Sequence, residues 1–437
     1  MDRFDIEITG SGSELQGVGR LPDGRAVFVP GVIPGERVQI EVTADKGRFC
    51  EASLVDVLVP SPDRVTPDCP NAGKCGGCQA RHMTYAKTLE LKRQRVFDAL
   101  TRIGGIANPE VRETLGSAQV NRTRNKAEYP IGRQDGRISI GAFASGGNRI
   151  IELKDCLSQT NESILALNWL SAQLNTLPFA NHLKYLVTRT NRQGQLMVIL
   201  SGDAPVSAQL KRLSPAPDCV QSLWYCQLNR RHTHALDGIC TWIWGNSTLS
   251  DRLFDLNFEL SPQSFFQVNA PQAEVLYDQA LIAAGITPGC ELNILDAYCG
   301  VGTITLSAAR YARSAVGIEI VPPAIENAKQ NAKANNIQNA RFICADAAKE
   351  IPCLLAHGQT FDAVLLDPPR KGIDSSLLES ITKSKVPTIV YVSCNPATLA
   401  RDLNYLQNLS FNLHYIQPVD MFPWTGHVET VVLMSRK

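Results

Sequence analysis

LDAYCGVGTITL, residues 295–306, runs from an apolar strand into a helix through Gly300 and Gly302. The segment before the turn, NILDAY, reads as a strand ending in Asp296, and GTITLSAARYA as a helix. Glycines at such a turn let backbone N–H groups approach a ligand closely. Working outward, AVGIEI is a strand, PAIENAKQNAKANN a helix, and ARFICAD and FDAVLLD strands. PTIVYVS is another strand, ATLARDLNYLQN a helix and ETVVLMS a last strand. Strands alternating with helices predict a doubly wound, Rossmann-like α/β domain over 261–437, whose ligands sit beyond the carboxyl ends of its strands.

Towards the N-terminus the pattern differs. FDIEITG, GVGRLPDG, RAVFVPGVIPGE, RVQIEVTA and CEASLVDVLVP are short β segments divided by glycine turns. Five strands in so short a stretch predict a small OB-like barrel over 1–60. PSPDRVTPDCP (60–70) then marks a linker. A helix is predicted over YAKTLELKRQRVFDALTRIGG, where apolar residues recur at three and four positions before closing glycines. GRISIGAF, QLMVILSG and CTWIWG are strand candidates in a strand-rich middle region, so 61–260 is read as a central domain.

The chain has 437 residues, 44% hydrophobic and 19% charged, which fits two or three folded domains and excludes a disordered tail protein. The formal net charge is +1, so the whole chain is no polycation. From Arg81 to Arg133, however, eleven Lys/Arg stand against five Asp/Glu. That excess suits either a polyanion-facing surface or a solvated helix face. MDRFDIEITG lacks the basic and apolar regions of a secretory signal, and no apolar stretch is long enough for a membrane helix. Thirteen scattered cysteines do not form a secreted disulfide framework. The expectation is a cytoplasmic protein with reduced or metal-ligating thiols.

Three successive strands of the α/β domain are followed by acids. Glu319 falls about 20 residues after the glycine loop, the distance for gripping ribose hydroxyls. Asp346 could accept from an adenine amine. Because the three-glycine dinucleotide fingerprint is absent, S-adenosylmethionine is favoured over NAD. LLDPPR then sets Asp367 on a rigid Pro-Pro turn beside the expected reaction centre. SCNP puts Cys394 at the tip of the fifth strand. Base nitrogens attack a sulfonium methyl directly. Pyrimidine C5 becomes nucleophilic only after something adds at C6, and a thiolate does this well. Its C5 proton must then leave, and Glu429, at the start of the last strand, could return to the same rim as the base.

CPNAGKCGGCQARH (69–82) sets Cys69, Cys75 and Cys78 in a C-x5-C-x2-C spacing. Zinc and an iron–sulfur cluster would each need a fourth ligand, and Cys156 in LKDCLS is the candidate. Spacing alone does not choose the metal. His82 reads as a surface or hydrogen-bonding residue.

SCNPATLARD, H-V-E-T at 427–430, FFQVN at 265–269 and LDPPR resemble the RNA (uracil-5-)-methyltransferase family. The resemblance covers 261–437 and is poor over 160–255, where nothing is assigned. It implies Cys394 as nucleophile and Glu429 as general base. It places Gln267, Tyr298, Thr303, Glu319, Asp346 and Asp367 around the methyl donor and the target base. The cysteine run is similar to that of the iron–sulfur members, which implies a [4Fe-4S] cluster on Cys69, Cys75, Cys78 and Cys156, with a structural or RNA-positioning role. VGRLPDGRAVFVPGVIPGE resembles a TRAM domain, an OB-like RNA-binding module. Barrel and cluster together most resemble the 23S ribosomal RNA enzymes, with transfer RNA as the alternative substrate. A base-nitrogen methyltransferase and a non-catalytic cluster-bearing RNA-binding factor are the rival readings. Uracil C5 is hidden in a stacked helix, so a loop or extruded nucleotide is expected. Asn121-Arg122-Thr123-Arg124-Asn125-Lys126 is a candidate phosphate contact, or a solvated loop. No protein partner is implied.

Overall fold

The computed structural model of the chain describes residues 2–134, 136–409 and 411–437. Strands β1 (Arg3–Ser11), β2 (Gly17–Arg20), β3 (Ala26–Val29), β4 (Arg37–Asp45) and β5 (Phe49–Val59) close a barrel in the order β1-β2-β3-β5-β4. Alternation drives it. Ile6, Ile8, Val27, Val29, Val38 and Ile40 fill the interior while the intervening residues face outward.

A long helix follows, α1 (Tyr85–Arg102), capped by the Thr84 side chain accepting from the Lys87 N–H. It leads to β6 (Lys126–Gln134), β7 (Arg137–Phe143), β8 (Ile150–Glu152), α2 (Asn161–Leu174), β9 (Leu183–Thr190), β10 (Leu196–Gly202), β11 (Val220–Leu228) and β12 (Gly238–Gly245). These strands form one sheet in the order β12-β11-β10-β9-β6-β7-β8. Helix α2 covers one face with Ile164, Leu167, Leu170 and Leu174, and a second apolar cluster around Met197 and Ile199 closes the other. β10 is therefore buried along its whole length, which is why LMVILSG is nearly unbroken apolar sequence.

The remaining elements are β13 (Leu249–Leu253), β14 (Leu256–Leu260), α3 (Ala270–Ala283), β15 (Asn293–Asp296), α4 (Thr303–Ala309), β16 (Ser314–Glu319), α5 (Pro322–Ala334), β17 (Ala340–Cys344), α6 (Ala347–Ala356), β18 (Ala363–Leu366), α7 (Ser375–Lys383), β19 (Thr388–Ser393), α8 (Pro396–Leu409), β20 (Phe411–Val419) and β21 (Glu429–Arg436). Their main sheet runs β17-β16-β15-β18-β19-β21-β20. Both faces are buried: Ile294, Leu365, Val390 and Val392 enter one core, and Leu295, Val364, Leu366 and Tyr391 the other. β15 to β19 are parallel, and β21 inserts antiparallel between β19 and β20. That reversal positions the site, because β21 begins at the rim where the parallel strands end.

Helix α1 also packs on this domain. Val96 and Leu100 join the core of Leu399, Leu403 and Ile416. The basic excess from Arg81 to Arg133 is therefore partly spent indoors. Arg81 and Lys92 are buried, and Lys92 pairs with the equally buried Asp420. Among the described residues no helix is long and apolar enough to cross a membrane.

Candidate active site

A cleft of about 700 Å³ lies beyond the carboxyl ends of β15, β16, β18 and β19. Gln267, Tyr298, Thr303, Glu319, Asp346, Asp367, Cys394 and Glu429 all line it. A larger cavity, about 890 Å³, lies between the barrel and the cysteine loop.

The glycine turn forms the floor. Gly302 has φ +88°, and a Cβ there would meet Phe342 Cζ at 3.0 Å, so conformation and space both demand glycine. Glu319, at the tip of β16, accepts from the Gly300 N–H at 3.3 Å and the Val321 N–H at 2.9 Å. Asp346 caps α6, accepting from the Ala348 N–H at 3.0 Å. Both carboxylates are thus held by backbone donors at the rim. The buried Tyr277 hydroxyl lies beside the side chains of Thr303 and Gln267. Asp296 does not line the cleft. It lies beneath, accepting from Thr305 Oγ1 at 2.6 Å, and burial pushes its carboxyl up to about 6.

The SCNP turn is built by its own side chains. Ser393 Oγ accepts from the Asn395 N–H at 3.1 Å, and Asn395 Oδ1 accepts from the Ala397 N–H at 3.1 Å, starting α8. Asn395 Nδ2 donates to the Arg370 carbonyl at 3.0 Å, which ties this turn to the Pro-Pro turn carrying Asp367. Ser393 pairs with Thr430 across β19 and β21, so the register carried one residue on sets Cys394 opposite Glu429.

These groups perturb one another. Burial pushes Glu429 up to about 8, with Asp367 raising it further and Arg370 opposing. Burial, then Asp296, puts Asp367 at about 7. Cys394 is pushed up to about 11 by burial and then by the Glu429 and Asp367 carboxylates, with Arg370 opposing. A cation placed among them would favour carboxylate and thiolate alike. His427 faces the same cleft and stays neutral, lowered to about 4 by burial and then by Arg370, Arg95, Arg124 and Lys92.

Sequence reasoning assigned no part to Phe265, Phe422 or His427, all on the cleft wall. Phe265 and His427 lay within quoted motifs. Phe422 had no signal, because MFPW is irregular chain between β20 and β21.

Cys69, Cys75, Cys78 and Cys156 line one separate cavity of about 390 Å³, all as free thiols. Among the described residues no group of three or more His, Cys, Asp or Glu is arranged to hold a metal ion, so the thiols share a cavity without converging on a single-ion site. His82 is buried, not a surface residue, and its Nε2 meets the Val32 carbonyl at 3.4 Å.

Residues 246–437 match the family model described as tRNA (Uracil-5-)-methyltransferase, and residues 2–55 match the TRAM domain. An "Uncharacterized RNA methyltransferase" of Clostridium tetani is 38% identical over 99% of this chain and 96% of its own. One from Halalkalibacterium halodurans is 39% identical over 100% of this chain and 97% of its own. Among solved structures, Pyrococcus abyssi tRNA (uracil-54, C5)-methyltransferase in complex with S-adenosyl-L-homocysteine is similar with a TM-score of 0.78 and 25% identity. That match covers 99% of this chain and 100% of the other. The chain belongs to the RNA uracil-5-methyltransferase family, with an N-terminal TRAM domain.

Proposed function

We propose that this protein methylates C5 of a uridine in 23S ribosomal RNA, with S-adenosylmethionine as donor and Cys394 and Glu429 as catalytic residues. The carrying observation is the strand register that sets a thiol opposite a carboxyl in one cleft. The residues suit the donor. Glu319 and Asp346 are rim acceptors, the glycine turn leaves room for close approach, and Asp367, raised to about 7 by burial and by Asp296, would gain from a cationic donor beside it. When bound, the donor supplies an electrophilic methyl group on a sulfonium.

Cys394 thiolate adds to uracil C6, forming a C–S bond and moving the C5–C6 electron pair towards O4 as an enolate. C5 becomes nucleophilic and is methylated. Glu429 then takes the C5 proton, the double bond re-forms and the C–S bond breaks, releasing the thiolate. A base near 8 suits proton removal at neutral pH far better than an ordinary carboxylate. The test is RNA containing 5-fluorouridine, which leaves no removable C5 proton. A protein–RNA adduct should survive denaturation and vanish in Cys394→Ala. No adduct from RNA that the enzyme otherwise methylates would sink the scheme.

The ribosomal assignment rests on the resemblance of barrel and cysteine run to the 23S enzymes. Transfer RNA is the second reading. The Pyrococcus abyssi tRNA enzyme matches across nearly the whole chain, so possession of a barrel does not separate the two substrates. Mapping 5-methyluridine in both RNAs from a deletion strain decides between them. The proposed division is a TRAM barrel over 1–60, a central domain over 61–260 and the catalytic domain over 261–437.

We also propose that the four thiols hold a [4Fe-4S] cluster. A four-iron cube spreads its thiolates apart, which suits four thiols around a shared cavity better than one ion would. Arg81 and Gln159 line this cavity, and Arg81 Nε and Gln159 Oε1 are buried without a hydrogen-bond partner among the described residues. The orphaned Arg81 N–H fits an anionic sulfur ligand. Iron and acid-labile sulfide should be present after anaerobic purification and fall in Cys75→Ser.

A further inference from the structure

The cysteine loop and the base-bearing loop meet at Trp424. Trp424 lies five residues before Glu429, at φ +65°, a left-handed conformation that bulky residues rarely adopt. It is held there from several sides. Its carbonyl accepts from the Gln79 N–H at 2.9 Å and the Ala80 N–H at 3.0 Å. Its Nε1 donates to the Val120 carbonyl at 3.1 Å, and its ring packs on Tyr85 at 5.5 Å. The Arg81 guanidinium sits 5.3 Å from the ring centroid.

Arg81 is fixed in turn. Its side chain is 2% exposed, donating to Asp68 at 2.8 Å and Asn121 at 3.0 Å. The thiol of Cys78 lies beside it. From Trp424 the path to the base is short and tethered. Arg95 donates to the Gly426 carbonyl, and a Cβ on Gly426 would meet the Ser13 carbonyl at 2.8 Å. Thr425 Oγ1 accepts from the His427 N–H at 3.3 Å. A chain so confined has little slack to absorb a shift of Trp424 before Glu429.

We propose that Arg81 is a positioning residue for Glu429, acting through Trp424 to hold the base-bearing loop in register with the four-thiol cavity. The inference rests on the proposed reaction, and that reaction gives it a specific signature. Glu429 acts only after methyl transfer, so a misplaced base strands the methylated RNA on Cys394. A merely structural weakening would lower the amount of active protein without trapping this species.

The test uses full-length, iron-loaded protein with unmodified substrate RNA and methyl donor, quenched in denaturant and resolved for protein–RNA adduct. Arg81→Lys keeps the charge but loses the planar fork, and Trp424→Leu loses the stacking face. Both should raise the adduct fraction at steady state, as Glu429→Gln should, and lower kcat about tenfold with KM for RNA unchanged. Trp424→Phe, which keeps a ring, should restore kcat towards the parent value. Iron content should equal the parent's. Adduct in Glu429→Gln but none in Arg81→Lys and Trp424→Leu overturns the positioning role alone. Iron lost in step with kcat overturns it as well. Absence of adduct in Glu429→Gln removes the assigned base and the positioning role with it.

Discussion

Replacing Glu429 by Gln should disable turnover and at the same time stabilise the protein. Glu429 is buried, and its carboxyl sits at about 8 against an ordinary 4.5. As pH rises between those values the unfolded chain releases this proton and the folded chain keeps it. The unfolded state therefore binds fewer protons, and stability falls with pH across the window. Near neutrality the loss amounts to on the order of 3 kcal/mol. Gln has the same shape and no charge to bury, so the variant should escape most of that loss. Its melting temperature should exceed the parent's near neutral pH, and the gap should close below about pH 4.5, where both forms are uncharged. Loss of the base should lower kcat by roughly 10²–10⁴. Above about pH 8, where Glu429 is ionised, removing that carboxylate should also speed alkylation of Cys394. Differential scanning calorimetry across pH, single-turnover methylation and iodoacetamide labelling read the three effects. A variant no more stable than the parent near neutrality, or one that turns over at the parent rate, refutes the reasoning.

Cys394→Ala should abolish methylation while leaving the donor's affinity within a few-fold, measured by calorimetric titration; retained activity would favour a base-nitrogen target. Gly302→Ala must strain φ +88° and press a methyl against Phe342, costing about 1–3 kcal/mol and weakening donor binding, read by thermal melts with and without donor. Lys92→Met leaves Asp420 buried without its cation and should destabilise by roughly 3–5 kcal/mol in urea titration. Asn395→Ala removes the cap of α8 and the tie to Arg370, which should cost about 1 kcal/mol and lower kcat more than it changes donor affinity.

The chain's local chemistry was legible wherever one side chain or one spacing carried it. The barrel strands announced themselves by alternation and glycine turns, and α1 by its apolar period and closing glycines. The parallel strands showed as apolar runs because both faces are buried. Elsewhere local signals were weak. β6 carries Pro130 and three charged residues, and α6 holds Pro352 inside a helix, so neither reads as its element. α2 and β9 took their places only through the core they share around Leu167 and Leu186.

By itself the sequence determined which residue types were available at strand tips: a thiol before Asn-Pro, acids after strands, and three clustered cysteines with a fourth far off. Tertiary structure decided which of them meet. The antiparallel insertion of β21 turned a glutamate near the chain's end towards a cysteine 35 residues earlier. Tertiary structure also turned Lys92 and Arg81 inward, within a run that the sequence left as either a polyanion-facing surface or a solvated helix face, because Lys92 pairs with buried Asp420 and Arg81 packs against Trp424. Register and burial are properties of pairs of segments, and no single stretch of chain encodes them.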